Sequence, residues 1–153
     1  MDIRVLAVGK VKEHFYRTGI EHYLIRLKPY CNIKITEFIE SRWKEKTKAL
    51  REEGLAIDRY IRSGARIIVL AAEGRAMGSA EFARYMEKSL IEGKVKMDFI
   101  IGGPLGLSAK VKKRADLCLS LSTLTFPHRL ARLILLEQLY RCFKIIRGEP
   151  YHK

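Results

Sequence analysis

Two short segments of this 153-residue chain combine residue types at a spacing that could do chemistry. The first is Gly102-Gly103-Pro104-Leu105-Gly106, where backbone N–H groups can approach a ligand with no side chain in the way. Its glycine spacing is not that of a dinucleotide-binding fingerprint, and no Gly-Lys-Ser/Thr follows to make a P-loop. A tight strand-to-helix turn accounts for the same residues. The second is Leu121-Ser122-Thr123-Leu124-Thr125-Phe126-Pro127-His128, where hydroxyls alternate with apolar side chains. Such a stretch can offer backbone amides and carbonyls to an adenine edge, with Leu124 and Phe126 as walls. Equally, Thr125 can cap the helix that follows, with Leu124 or Phe126 as its staple.

The charged residues nearby ask for an explanation. Arg129 and Arg132 fall in the first turns of a long C-terminal helix, where the helix dipole disfavours cations, so a compensating function is expected of both. Arg141 lies further along the polar side with Glu137, Gln138 and Lys144. Either an i,i+4 pair with Glu137 or a role at a site fits it. His14 and His22 read as surface or half-buried residues of the first helix, and His128 as structural in a first helical turn. His152, in a basic tail beside Tyr151, is the histidine free to reach a substrate. Cys31, Cys118 and Cys142 are few, far apart and odd in number, matching neither a disulfide framework nor zinc-ligand spacing. No metal is expected, and a reducing cytoplasm is the simplest setting.

Composition narrows the partner. Thirty Lys and Arg against seventeen Asp and Glu leave a formal charge of +13, which favours a polyanion over a merely hydrated basic surface. No stretch approaches the roughly 18 apolar residues of a membrane span. Met1 leads almost directly into Ile3–Val8 without a basic leader, so no secretory signal is expected.

The elements that must position these segments alternate along the chain. Ile3–Val8 reads as a buried strand ending at Gly9, and residues 11–27 as a helix stopped by Pro29. A strand over Asn32–Glu40 leads into a charged loop, Ser41–Lys48, and a helix ending before Gly64. Arg66–Ala71 is a third strand, closed by Glu73-Gly74, and Ser79–Ile91 a helix with Ser79 as its cap. Met97–Ile101 is a fourth strand, Ser108 caps a short basic helix through Arg114, and Leu117–Leu121 is a fifth strand. A turn over Thr123–Pro127 opens the last helix, to Ile146. This alternation predicts one three-layer α/β domain over 1–153 with a mainly parallel sheet, whose ligands sit beyond the carboxyl ends of the strands. Leu70–Gly74, Ile101–Gly106 and Leu121–Pro127 are then the candidate pocket loops. The last helix is apolar from Leu130 to Ile146 over more than one face, which calls for burial on two sides and suggests a second copy of the chain.

The ordered set of motifs resembles a known family. It runs from Leu6-Ala7-Val8-Gly9-Lys10 through Ile101-Gly102-Gly103-Pro104-Leu105-Gly106-Leu107 to Leu119-Ser120-Leu121-Ser122 and Thr125-Phe126-Pro127-His128. Glu137-Gln138-Leu139-Tyr140-Arg141 and Pro150-Tyr151-His152-Lys153 complete it. Over the whole chain this is similar to the ribosomal RNA large-subunit methyltransferase H family of the SPOUT superfamily. The resemblance implies a C-terminal trefoil knot, a homodimer, and methylation by S-adenosylmethionine of N3 of a pseudouridine in 23S rRNA. It implies donor contacts at Leu70, Gly102, Leu121, Ser122, Thr123, Leu124, Thr125 and Phe126. Arg132 or Arg141 would supply positive charge near the acceptor, and Tyr151 and His152 would complete the partner's site. A related enzyme acting on transfer RNA, or a non-catalytic ribosome-binding protein, are the rival readings; with no appended RNA-binding domain, the former would need a large preassembled substrate to supply recognition.

Overall fold

The computed structural model describes residues 1–151. Its five strands are β1 (Asp2–Val8), β2 (Asn32–Phe38), β3 (Arg66–Ala76), β4 (Lys96–Ile101) and β5 (Leu117–Ser120). They form one sheet in the order β2-β1-β4-β3-β5, and every neighbouring pair is parallel. The helices are α1 (His14–Leu27), α2 (Lys46–Asp58), α3 (Ser79–Ile91), α4 (Ala109–Lys113) and α5 (His128–Ile146).

The unbroken apolar runs of the strands follow from cover on both faces. Ile3, Val5 and Ala7 of β1 point into a core shared with Leu27 of α1, Met86 of α3 and Leu135, Leu136 and Leu139 of α5. Their neighbours Leu6 and Val8 point the other way, against Ile57 of α2 and Val111 of α4. At the amino ends of the strands, Asp98 is fully buried and receives hydrogen bonds from the backbone N–H (2.8 Å) and Nε (2.9 Å) of Arg62. The carboxyl ends are left for ligands.

Several expectations are corrected. β3 does not close at Glu73-Gly74 but runs on to Ala76, after a register shift in which both Leu70 and Arg75 face Leu119. Gly74 permits it: a Cβ there would lie 2.7 Å from the Cys118 carbonyl oxygen, so this glycine marks a bulge against β5 and not a stop. α1 begins at His14, because Glu13 is still extended. Ser79 is the first helical residue with Gly78 as the cap, and its hydroxyl instead donates to Gln138 Oε1 at 2.7 Å, tying α3 to α5. Ser108 does cap α4, accepting from the Val111 N–H at 3.3 Å. The wide apolar arc of α5 is met largely inside one chain, since α5 packs between α1 and α3 over the sheet. The arc alone therefore does not require a second copy.

Candidate functional site at the carboxyl edge of the sheet

Beyond the carboxyl ends of β4 and β5, against the bulge in β3, lies a cavity of about 720 Å3, within the usual range for a small-molecule site. The three loops singled out in the sequence surround it. Leu70 and Ala71–Glu73 come from the β3 bulge, Gly102, Gly103, Pro104 and Gly106 from the β4 loop, and Leu121, Ser122 and Leu124–Phe126 from the β5 loop. Of the eight residues expected to contact a donor, seven line this cavity, and Thr123, exposed, is not among the lining residues.

Backbone geometry shapes the walls. A Cβ on Gly102 would sit 2.4 Å from the Gly106 carbonyl oxygen, so the loop folds onto itself at a distance that only glycine allows. Gly106 closes the turn at φ +82°, donating its N–H to the Gly103 carbonyl at 3.0 Å. In the β5 loop the Ser120 hydroxyl donates to the Ser122 carbonyl (2.9 Å) and the Leu124 N–H donates to Ser122 Oγ (3.0 Å). The alternation of hydroxyls thus pins the loop. Thr125 does not cap α5: Pro127 occupies the cap position and no side chain bonds there.

Three ionisable side chains also line the cavity. Lys112 and Glu73 form an ion pair at the cavity, and the lysine's hydrogen bond holds the Glu73 carboxyl below the usual carboxylate range. His128, taken as structural, lines the cavity too. Its Nε2 is buried without a hydrogen-bond partner and stands 3.6 Å from Glu40 Oε1. Burial pushes the imidazole below its ordinary pKa, against the pull of Glu40. Helical spacing marks His128 only as a first-turn residue; the signal that points to the cavity is its place directly after the β5 loop.

The cations expected to act lie elsewhere. Arg132 is 1% exposed and is spent on the Glu37 carboxylate and on the Gly9 carbonyl, 2.9 Å away. Arg129 pairs with Glu13 at 2.8 Å. These partners from the ends of β1 and β2 are what offsets two cations at a positive helix end. Arg141 and Tyr151 form a second cluster outside the cavity lining. The Arg141 guanidinium stacks 3.9 Å over the Tyr151 ring, and both Arg141 Nη2 and the Tyr151 hydroxyl donate to Glu137 Oε1 at 2.5 Å. Burial, and then the bond to Glu137, hold the Tyr151 phenol far above its ordinary pKa. His152 lies outside the described residues. Two of the three thiols are disfavoured as nucleophiles: burial pushes Cys31 up to about 11 and Cys142 up to about 12. Among the described residues, no group of His, Cys, Asp and Glu could hold a metal ion, and no helix is long and apolar enough to cross a membrane.

Comparison with known proteins bears on this geometry. Residues 1–152 match a family model described as "Predicted SPOUT methyltransferase". The chain is 45% identical, over the full length of both, to the ribosomal RNA large subunit methyltransferase H of Carboxydothermus hydrogenoformans. It is 43% identical, again over both full lengths, to the protein of that name from Acetivibrio thermocellus. A probable methylase family protein from Haemophilus influenzae superposes with a TM-score of 0.58 at 14% identity, covering 99% of this chain and 70% of that one. A methyltransferase from Legionella pneumophila, solved in complex with the bound cofactor SAM, superposes at 0.52 with 12% identity, covering 95% and 66%. At such identities these two structures show a shared fold.

Proposed function

This chain belongs to the SPOUT methyltransferase family, and we propose that it transfers a methyl group from S-adenosylmethionine to N3 of a pseudouridine in 23S rRNA of the large ribosomal subunit. On this reading it works in the cytoplasm as a homodimer, with the trefoil knot that the resemblance implies. The observation that carries the proposal is the gathering of Leu70, Gly102 and the Leu121–Phe126 loop around one cavity. The full-length relatives named for ribosomal RNA methylation and the charge of +13 support the RNA substrate.

The cavity suits such a donor. Gly102 lets the β4 loop fold tightly against Gly106 and keeps this wall free of side chains, and Leu70, Leu121, Leu124 and Phe126 give apolar cover to a flat base. Its lysine is neutralised by Glu73, and burial keeps His128 uncharged at neutral pH, so no free cation opposes a sulfonium. Leu70, Gly102 and Leu121–Phe126 would hold the donor, which supplies an electrophilic methyl carbon when bound.

The chain's own residues must then orient the acceptor and take its proton. An imide N3 is protonated at neutral pH, and nearby positive charge favours the anion that attacks. Arg141, held by Glu137 and stacked on Tyr151, is the candidate for that charge, brought to the partner's cavity in the homodimer. Arg132 enters as a positioning residue, since its guanidinium is buried and occupied. His152 is the candidate base or hydrogen-bond partner.

Incubation of the protein and S-adenosylmethionine with large subunits lacking the modification, followed by mass-spectrometric mapping of the RNA, tests the reading. One methyl on a pseudouridine of 23S rRNA is expected. Absence of donor binding would leave a ribosome-binding protein, and methylation of transfer RNA alone would leave the other rival. His152→Ala should lower turnover more than donor affinity; equal loss of both, or loss of neither, counts against the base.

A further inference from the structure

The β2–α2 loop is not used by the donor cavity, yet it stands at the same edge. All strands are parallel, so the chain leaving β2 at Phe38 emerges beside the loops of β1, β3 and β4. Two contacts fix the neighbourhood. Glu40 lies 3.6 Å from His128 of the cavity wall. Glu53, on α2 and 6% exposed, brings Oε2 to 3.8 Å from where a Cβ on Gly103 would stand.

The loop is fastened at its root. Glu53 Oε1 accepts the Ser41 N–H at 2.9 Å, the Ser41 hydroxyl donates to Glu52, and the Trp43 N–H donates to Ser41 Oγ at 3.3 Å. Beyond that root it turns outward. Arg42, Trp43, Lys44, Lys46 and Lys48 are all exposed, with Trp43 at 56%. Lys48 Nζ sits 5.3 Å from the centroid of the Trp43 ring. No ion pair forms on Arg42, Lys44 or Lys46 among the described residues, whereas Lys48 pairs with Glu45 at 2.9 Å.

A large indole left in water beside four cations is a costly surface unless something covers it. A protein partner is a poor match, because the cores of protein interfaces exclude lysine. Single-stranded nucleic acid matches both properties: bases stack on aromatic rings and phosphates take the cations. We propose that Arg42–Lys48 is an RNA-gripping hook, in which Trp43 stacks on a base of the substrate RNA near the target nucleotide while Arg42, Lys44 and Lys46 neutralise its phosphates. The proposal rests on the reading of the protein as an RNA methyltransferase.

Trp43 is the chain's single tryptophan, so its fluorescence reports on the hook alone. Titration with a single-stranded oligouridylate at low salt should quench it, and added salt should restore it. Trp43→Ala should raise the KM for large subunits about tenfold with the donor Kd unchanged, and Trp43→Phe should recover most of the loss. The triple variant Arg42→Ala/Lys44→Ala/Lys46→Ala should flatten the log–log salt dependence of RNA affinity by about two. Unchanged KM and salt slope in these variants would overturn the hook. Loss of affinity for subunits without quenching by oligouridylate would assign the loop to a ribosomal protein and overturn it equally. If the unaltered protein methylates nothing, the enzymatic reading fails, while the quenching experiment still judges the hook.

Discussion

The two halves of the sheet's carboxyl edge are built by opposite means. At the ends of β3, β4 and β5, glycines, carbonyls and apolar side chains enclose a cavity in which the charges are paired or suppressed. At the ends of β1 and β2, Lys10, Lys12, Arg42, Lys44, Lys46 and Lys48 stand in water, and so does the indole of Trp43. A ligand carrying its own positive charge is held by shape where fields are weak, and a polyanion is held by charge where shape matters little. On the proposed reading, one edge serves two substrates of opposite character because their binding forces barely interfere.

The comparison breaks most readily at Gly102. Gly102→Val drives a side chain into the Gly106 carbonyl, and calorimetry should find donor affinity down more than about 100-fold; retention of donor affinity would mean that shape does not govern the cavity. Next comes the joint between the halves. Arg132→Met leaves Glu37 and the Gly9 carbonyl without their cation, and denaturant titration should show a loss of about 3 kcal/mol. Adding Glu37→Gln should return part of it, whereas lost catalysis with full stability would make Arg132 a direct participant.

His128 sharpens the boundary. Its folded pKa lies below the ordinary value, so its neutral form prevails above that value and its stability contribution is lost as pH falls through the lowered pKa. An imidazolium formed there, near Arg129 and Arg132 and only partly offset by Glu40 and Glu13, should repel a sulfonium. Donor Kd should rise as pH is taken down past the lowered imidazole pKa, below the ordinary histidine range, and His128→Asn should remove the trend. The smallest effect is a flat line. Raising salt from about 0.05 to about 0.5 M should change donor affinity less than about twofold, while RNA affinity falls by orders of magnitude.

Periodicity and motifs are more informative at the cavity than around it. The alternating elements, the parallel sheet and all three pocket loops are legible, because buried strands and turn glycines leave local signatures. Gly74 has the sequence signature of a strand end because a glycine that admits a neighbouring backbone looks in sequence like one that ends a strand. The ion pair that buries Arg132 is not legible in the sequence, because its partner Glu37 lies 95 residues away and no local pattern announces such a pair. The apolar arc of α5 suggested a second subunit for a similar reason: spacing counts the faces that need cover but cannot say that α1 and α3 supply it.

The bulge in β3 gives the cavity a compliant wall on a stiff floor. Leu70 is clamped to Ile101 and Leu119, and the ladder to β5 resumes only at Arg75. The stretch between, Ala71–Gly74, has no register partner on β5, and Ala71–Glu73 is the part that lines the cavity. Entry of a ligand can therefore press on this wall without breaking the ladder on either side of it. Amide exchange should reveal the division within a single strand, fast over Ala71–Gly74, slow over Ile67–Leu70, and slowed in the former once the cavity is filled.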